Sequence, residues 1–216
     1  MYADPAVVRR KVERELKEYV EHIDQYRARG IWVLEYIFPE LLVAFASPKT
    51  KPAVAPYGVL LDLRNYDVEP PSIRFVNPFT RAPLTAAELN YAFPRYEVVS
   101  KAPVQVQRPP AGEPAAEQPP AAPQGFQVQL RPAGNLLQFW GPADDHPFIC
   151  LAGVREYHDN PGHTSDSWWL HRAMGAGRIV TLLNTLSKYG TEQIVDMSYQ
   201  AFGFREFLIQ PNLNFA

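Results

Sequence analysis

With 216 residues, 46% hydrophobic and 20% charged, the chain can build a substantial core, in one domain with insertions or a domain with a small appendage. A net charge of −2 gives no electrostatic case for nucleic acid, and neither a bilayer-length apolar run nor a basic-then-apolar leader is seen, so a cytoplasmic protein without membrane or nucleic-acid partners is expected. The single cysteine excludes an internal disulfide and leaves Cys150 as a small buried hydrophobe or a reactive thiol.

Residues 4–29 predict an amphipathic helix. Asp4-Pro5 supplies an N-cap and a proline at the first helical position. Val8, Val12, Leu16, Val20 and Ile23 recur at helical spacing between charged residues, and Gly30 closes the helix. Ile31–Phe38, Leu41–Ala46, Tyr57–Leu63 and Ser72–Val76 then read as four short strands rich in β-branched and aromatic residues. Their connections are too short for helical crossovers, so an antiparallel meander with the helix over one face is expected, an α+β layout. Within the Asn65–Phe75 connection, Pro70-Pro71 predicts a rigid turn.

Thr85 offers a cap for a short helix through Leu89. Ala102–Gln124 holds seven prolines and few large apolar side chains, which predicts an extended, partly disordered spacer. Phe126–Leu130 and Asn135–Trp140 are expected to pair as a hairpin. Gly153–Ser167 reads as a polar loop with a turn at Asp159-Asn160-Pro161-Gly162. Ser165 or Ser167 can cap a helix through Lys188, which Gly175 and Gly177 weaken or divide. The tail, with Phe202, Phe204, Phe207, Leu208 and Ile209, is apolar enough to pack back on the domain. The expected organisation is one domain over residues 1–216 with a proline-rich insertion at 102–124.

Reactive chemistry concentrates in His146-Pro147-Phe148-Ile149-Cys150-Leu151 and the Glu156, His158 and His163 that follow. Two proposals fit those residue types. A thiol nucleophile can use a neighbouring carboxylate or imidazole as proton acceptor. Alternatively, Cys-Glu-His-His is a permissible zinc ligand set, although its spacing lacks the tight pairs typical of such sites. His22 lies on the first helix, outside this group. His171 is assigned to a helix surface, with a part in the site left open.

The order of parts resembles the ubiquitin-conjugating enzyme family. Tyr66, Pro70, Pro71, Ile73 and Phe75 match that family's tyrosine and paired prolines before a fourth strand, and Ile149-Cys150-Leu151 matches its catalytic cysteine run. Trp168 or Trp169 and the aliphatic Ile179–Leu186 match its later tryptophan and helix, so the resemblance spans about residues 5–190. The family's His-Pro-Asn is altered: His146-Pro147 is followed by Phe148 and directly precedes the cysteine. The oxyanion-stabilising asparagine is therefore unassigned, with Asn135 and Asn160 as loose candidates. These departures resemble a bacterial group encoded beside ubiquitin-like proteins, activating enzymes and isopeptidases, in operons associated with antiphage defence. In that group a Cys-Glu-His-His pattern, matched by Cys150, Glu156, His158 and His163, is read as a metal site.

The resemblance implies an enzyme carrying a ubiquitin-like modifier's C-terminus as a thioester on Cys150 and transferring it to a target amine, with Glu156, His158 and His163 as catalytic neighbours. Its partners would be the modifier, an activating enzyme that docks on the first helix, and the target protein. No organic cofactor is implied. The alternatives are a zinc-binding protein using the same four residues, or a catalytically inert module that binds a ubiquitin-like fold.

Overall fold

The computed structural model describes residues 3–51, 53–89, 92–103, 126–139, 141–142, 144–202 and 206–213. Helix α1 spans Pro5–Glu21, and Asp4 caps it through Oδ1, which accepts from the Ala6 N–H at 2.7 Å. Its buried stripe is Val8, Val12, Glu15, Leu16 and Tyr19. The expected continuation through Val20 does not hold, for Val20 is 61% exposed. The helical backbone breaks at His22, and after it Tyr26 of α2 (Ile23–Ala28) becomes the buried residue.

Gly30 then turns the chain at φ +78°, where a Cβ would stand 1.9 Å from the Ala46 carbonyl oxygen. Neither that conformation nor that approach admits another residue.

Strands β1 (Ile31–Ile37), β2 (Glu40–Phe45), β3 (Tyr57–Asp62) and β4 (Ser72–Val76) form one antiparallel sheet in the order β1-β2-β3-β4. The register pairs Ile31 with Phe45, Leu41 with Leu61 and Val59 with Phe75, which places these side chains in a shared core. Tyr19 ties α1 to the edge strand: its hydroxyl donates to the Ile31 carbonyl and accepts from the Val33 N–H.

The chain divides into two compact units, Arg95–Gly134 and the remainder. Strands β5 (Pro94–Pro103) and β6 (Phe126–Asn135) form a two-stranded sheet. The expected pairing of Phe126–Leu130 with Asn135–Trp140 is therefore replaced. The first segment pairs within β5-β6, while β7 (Leu137–Gln138) pairs antiparallel with β8 (Phe148–Ile149). Of the proline-rich stretch, Ala102 and Pro103 belong to β5, and residues 104–125 lie outside the described residues.

After β8 come α3 (Arg155–Asp159), a single 3-10 turn (Pro161–His163), α4 (Trp168–Ala173) and α5 (Ile179–Gly190). The polar loop expected at Gly153–Ser167 thus contains a helix and a turn. Thr85 accepts the expected capping bond from the Glu88 N–H, and the Glu88 carboxylate accepts one in return from the Thr85 N–H, but only a turn follows them.

The long helix expected from Ser165 or Ser167 is divided, as its glycines allow. Gly175 adopts φ +76°, and a Cβ on Gly177 would meet the Trp168 ring at 2.3 Å. Ile179, Leu182, Leu183 and Leu186 of α5 join the core formed by α1 and the sheet.

Glu15 joins the layers. Its buried carboxylate accepts from the Tyr66 hydroxyl at 2.8 Å and from the Ile179 N–H at the start of α5 at 3.0 Å. A buried carboxylate is tolerated when donors satisfy it. Burial and the Glu15 carboxylate push the Tyr66 phenol far above its ordinary value.

Strands β9 (Ile194–Phe202) and β10 (Glu206–Leu213) end the description as an antiparallel hairpin. The apolar side chains of that tail lie outside what is described. Its start is held by Ser47, whose hydroxyl donates to the Ile194 carbonyl. Among the described residues no helix is long and apolar enough to cross a membrane.

Candidate functional site

Cys150 follows β8 immediately, and its N–H donates to the Leu136 carbonyl at 2.7 Å. The thiol is half-buried. Three anchors hold the loop that carries it. The Arg155 N–H donates to the Pro71 carbonyl at 2.9 Å. Gly153 packs so closely on the α4–α5 connection that a Cβ would stand 2.3 Å from the Ala176 oxygen. The Glu156 side chain fastens α3 to the start of β4.

Glu156 accepts from the Ser72 hydroxyl and from the Ile73 N–H at 3.2 and 3.3 Å. Burial raises its carboxyl above the ordinary value, against the lowering by those donors and by Arg155. The paired prolines Pro70 and Pro71 are buried just before β4, so the rigid turn read from the sequence is also the strip on which α3 is seated.

His163 is the one expected neighbour in direct contact with the thiol, its Nε2 lying 3.4 Å from Cys150 Sγ. The 3-10 turn brings it there. Pro161 opens that turn and Asn160 caps it, the Asn160 Oδ1 accepting from the Gly162 N–H at 2.8 Å. A sulfur and an imidazole nitrogen at this separation can share a proton.

His158 points elsewhere. Its Nδ1 is 3.0 Å from the Asp166 carbonyl oxygen and its Nε2 is 2.7 Å from the Ala152 carbonyl oxygen. Each nitrogen lies against a main-chain oxygen, to one of which the neutral ring donates, and neither nitrogen is directed at the thiol. The four candidates of the zinc alternative therefore do not converge. Among the described residues no group of three His, Cys, Asp or Glu side chains is placed to hold a metal ion.

The remaining expectations are also placed. Asn135 spends its amide on main-chain partners, donating to the distant Ala92 carbonyl and accepting from the nearby Leu137 N–H. His146 is exposed, with Nδ1 3.2 Å from the Leu84 carbonyl oxygen. Of the two tryptophans, Trp168 is the buried one and donates to the Asp67 carbonyl at 3.1 Å, whereas Trp169 is 57% exposed.

Three residues at the site were not singled out from sequence, or were left open. The Tyr157 ring lies on that of His163, with centroids 3.9 Å apart and planes 18° from parallel. Its hydroxyl donates to Asp166 Oδ2 at 2.6 Å. His171, one helix away, donates from Nε2 to Asp166 Oδ1 at 2.6 Å. Those two bonds, Tyr157's first, hold the Asp166 carboxyl below its ordinary value. The same bond, with burial, pushes the Tyr157 phenol up to about 12. Nothing in the spacing of residues 157, 166 and 171 announces the cluster, because three separate short elements must fold together to form it.

A family model described as Y4jH-like matches residues 3–194, which takes in every residue of this cluster. The chain is also 38% identical over 192 residues to y4jH, an uncharacterized protein of Sinorhizobium fredii (strain NBRC 101917 / NGR234). That match covers 87% of this chain and 84% of that protein.

Proposed function

We propose that this chain, which belongs to the Y4jH-like family, is a thiol-dependent acyl transferase of the ubiquitin-conjugating type. The observation that carries the reading is the Cys150–His163 pair, a half-buried thiol 3.4 Å from an imidazole nitrogen. Its setting supports the reading: an N-terminal helix, a four-stranded antiparallel meander and C-terminal helices build the core beside which the thiol sits.

In this reaction the Cys150 thiol gives its proton to His163. The thiolate attacks the carbonyl carbon of a thioester presented by an activating enzyme, and the donor's sulfur departs with the bonding pair and takes up the proton that His163 received, which leaves His163 neutral. The modifier's C-terminal acyl group is then held as a thioester on Cys150. A target amine attacks that carbonyl, the new amide forms, and Cys150 leaves as thiolate while His163 accepts the proton the amine loses. The partners are therefore a ubiquitin-like modifier, an activating enzyme and a target protein. Only the activating enzyme consumes ATP.

His163 carries the acid–base role in this scheme. Glu156 and His158 act at one remove, by seating α3 and by tying down the loop on either side of the thiol.

The test uses the purified full chain and a ubiquitin-like protein whose C-terminal glycine is activated as a small-molecule thioester, which dispenses with the activating enzyme. Wild type is expected to acquire the acyl group in a form released by reductant, and Cys150→Ala to acquire none. Absence of the adduct in wild type, or its persistence in Cys150→Ala, overturns the assignment.

A further inference from the structure

The arrangement behind His163 points to a positioning residue that the reaction scheme does not yet use. α3 has only five residues, so it cannot hold a side chain in place by its own hydrogen bonding. Tyr157 is nevertheless fixed at both ends. Its ring is stacked on His163, and its hydroxyl is bound by a carboxylate that His171 holds from the other side. The Asp166 main-chain oxygen also lies 3.0 Å from His158 Nδ1, so the residue that anchors the tyrosine is itself packed against a second histidine.

We propose that Tyr157 positions and activates the Cys150–His163 pair, its ring face holding the imidazole with Nε2 at the sulfur and stabilising the imidazolium formed when the thiol's proton moves across. An aromatic face carries negative charge density and attracts a cation lying over it. The hydroxyl's bond to the Asp166 carboxylate increases that density. The proton balance is closed within the pair: the S–H bond breaks, an Nε2–H bond forms, and the products are thiolate and imidazolium.

Tyr157 keeps its own proton throughout, because Asp166 and burial have pushed the phenol up to about 12. It acts through the ring and not as an acid or base. His171 and Asp166 act through Tyr157. The proposal rests on the reading of Cys150 as nucleophile and His163 as its proton acceptor, and the experiment separates the two.

Iodoacetamide alkylation of the full chain reports on one thiol, since Cys150 is the only cysteine. The rate near pH 6 divided by the rate near pH 9 measures the thiolate fraction and cancels accessibility, which a merely structural change would alter equally at both values. In Tyr157→Leu this ratio is expected to fall about tenfold, the worth of one ring-face contact with a cation. Tyr157→Phe keeps the ring but loses the bond to Asp166, and Asp166→Asn keeps the shape but loses the charge. Each is expected to lower the ratio by about threefold.

A wild-type ratio in Tyr157→Leu overturns the proposal. If that variant does not fold, wild-type ratios in both conservative variants do so. An unchanged ratio in His163→Gln would instead overturn the thiol–imidazole pairing itself, and with it the proposed reaction.

Discussion

The carboxylate of Glu156 accepts a hydrogen bond from the Ile73 N–H, with oxygens at 3.2 and 3.3 Å, and so a residue expected to work beside the thiol instead fastens α3 to the fourth strand. Glu156→Ala would leave the Ile73 N–H and the Ser72 hydroxyl without their partner. A loss of about 2–3 kcal/mol is expected from burying such groups unpaired, measured by urea unfolding.

The same carboxyl has a pH signature. Burial raises the Glu156 carboxyl in the folded protein above its unfolded value, so the folded state holds this proton more tightly. The contribution is therefore fully present below the unfolded value and declines as pH rises through the raised one. The urea midpoint of wild type relative to Glu156→Gln should accordingly fall as pH is raised from about 4 to about 7. A difference that grows over this range would contradict the assignment.

Tyr66→Phe removes one of the donors to the buried Glu15 carboxylate while keeping the ring. The remaining Ile179 N–H does not replace a hydroxyl bonded to a charge, and a loss of about 1.5–3 kcal/mol is expected. Calorimetric or urea unfolding of the two proteins side by side checks it. Activity per folded molecule at Cys150 should change little.

Gly153→Ala would bring a methyl group to 2.3 Å from the Ala176 carbonyl oxygen, a main-chain atom that cannot swing aside. The loop bearing Cys150 must then part from the α4–α5 connection. A destabilisation of about 1–3 kcal/mol is expected. Slower alkylation of the thiol should accompany it, read by mass spectrometry under native conditions.

Cys150→Ser exchanges a good leaving group for a poor one without changing shape. In the acyl-transfer assay this variant should accumulate an oxygen ester that resists reductant, formed more slowly than the wild-type thioester. Gel mobility with and without reductant distinguishes the two adducts.

Much of the scaffold was legible in the sequence because its signals are local. Asp4-Pro5 and the spacing Val8–Val12–Leu16 defined the start and buried face of the first helix, which ends at Glu21 and not at Gly30, and the strand boundaries fell within about two residues of those found. Val20 misled because repeated four-residue steps drift around a 3.6-residue helix, so Tyr19 and not Val20 continues the buried stripe. The pairing of β7 with β8 was not legible. A two-residue strand carries no periodicity of its own, and its partner is chosen by where Cys150 must meet the Leu136 carbonyl.

The sequence by itself determined an α+β core and the one thiol around which chemistry could be built, since 3.6-residue and two-residue periodicities depend only on neighbours along the chain. Only the tertiary structure decided which polar groups surround that thiol. Glu156 and His158 are drawn to main-chain partners that the sequence cannot display, while His163 is carried to the sulfur by a single turn. Tyr157, Asp166 and His171 meet because α3, the segment after the turn, and α4 pack together. The physical reason is that a side chain's hydrogen-bond partner is set by where distant segments cross.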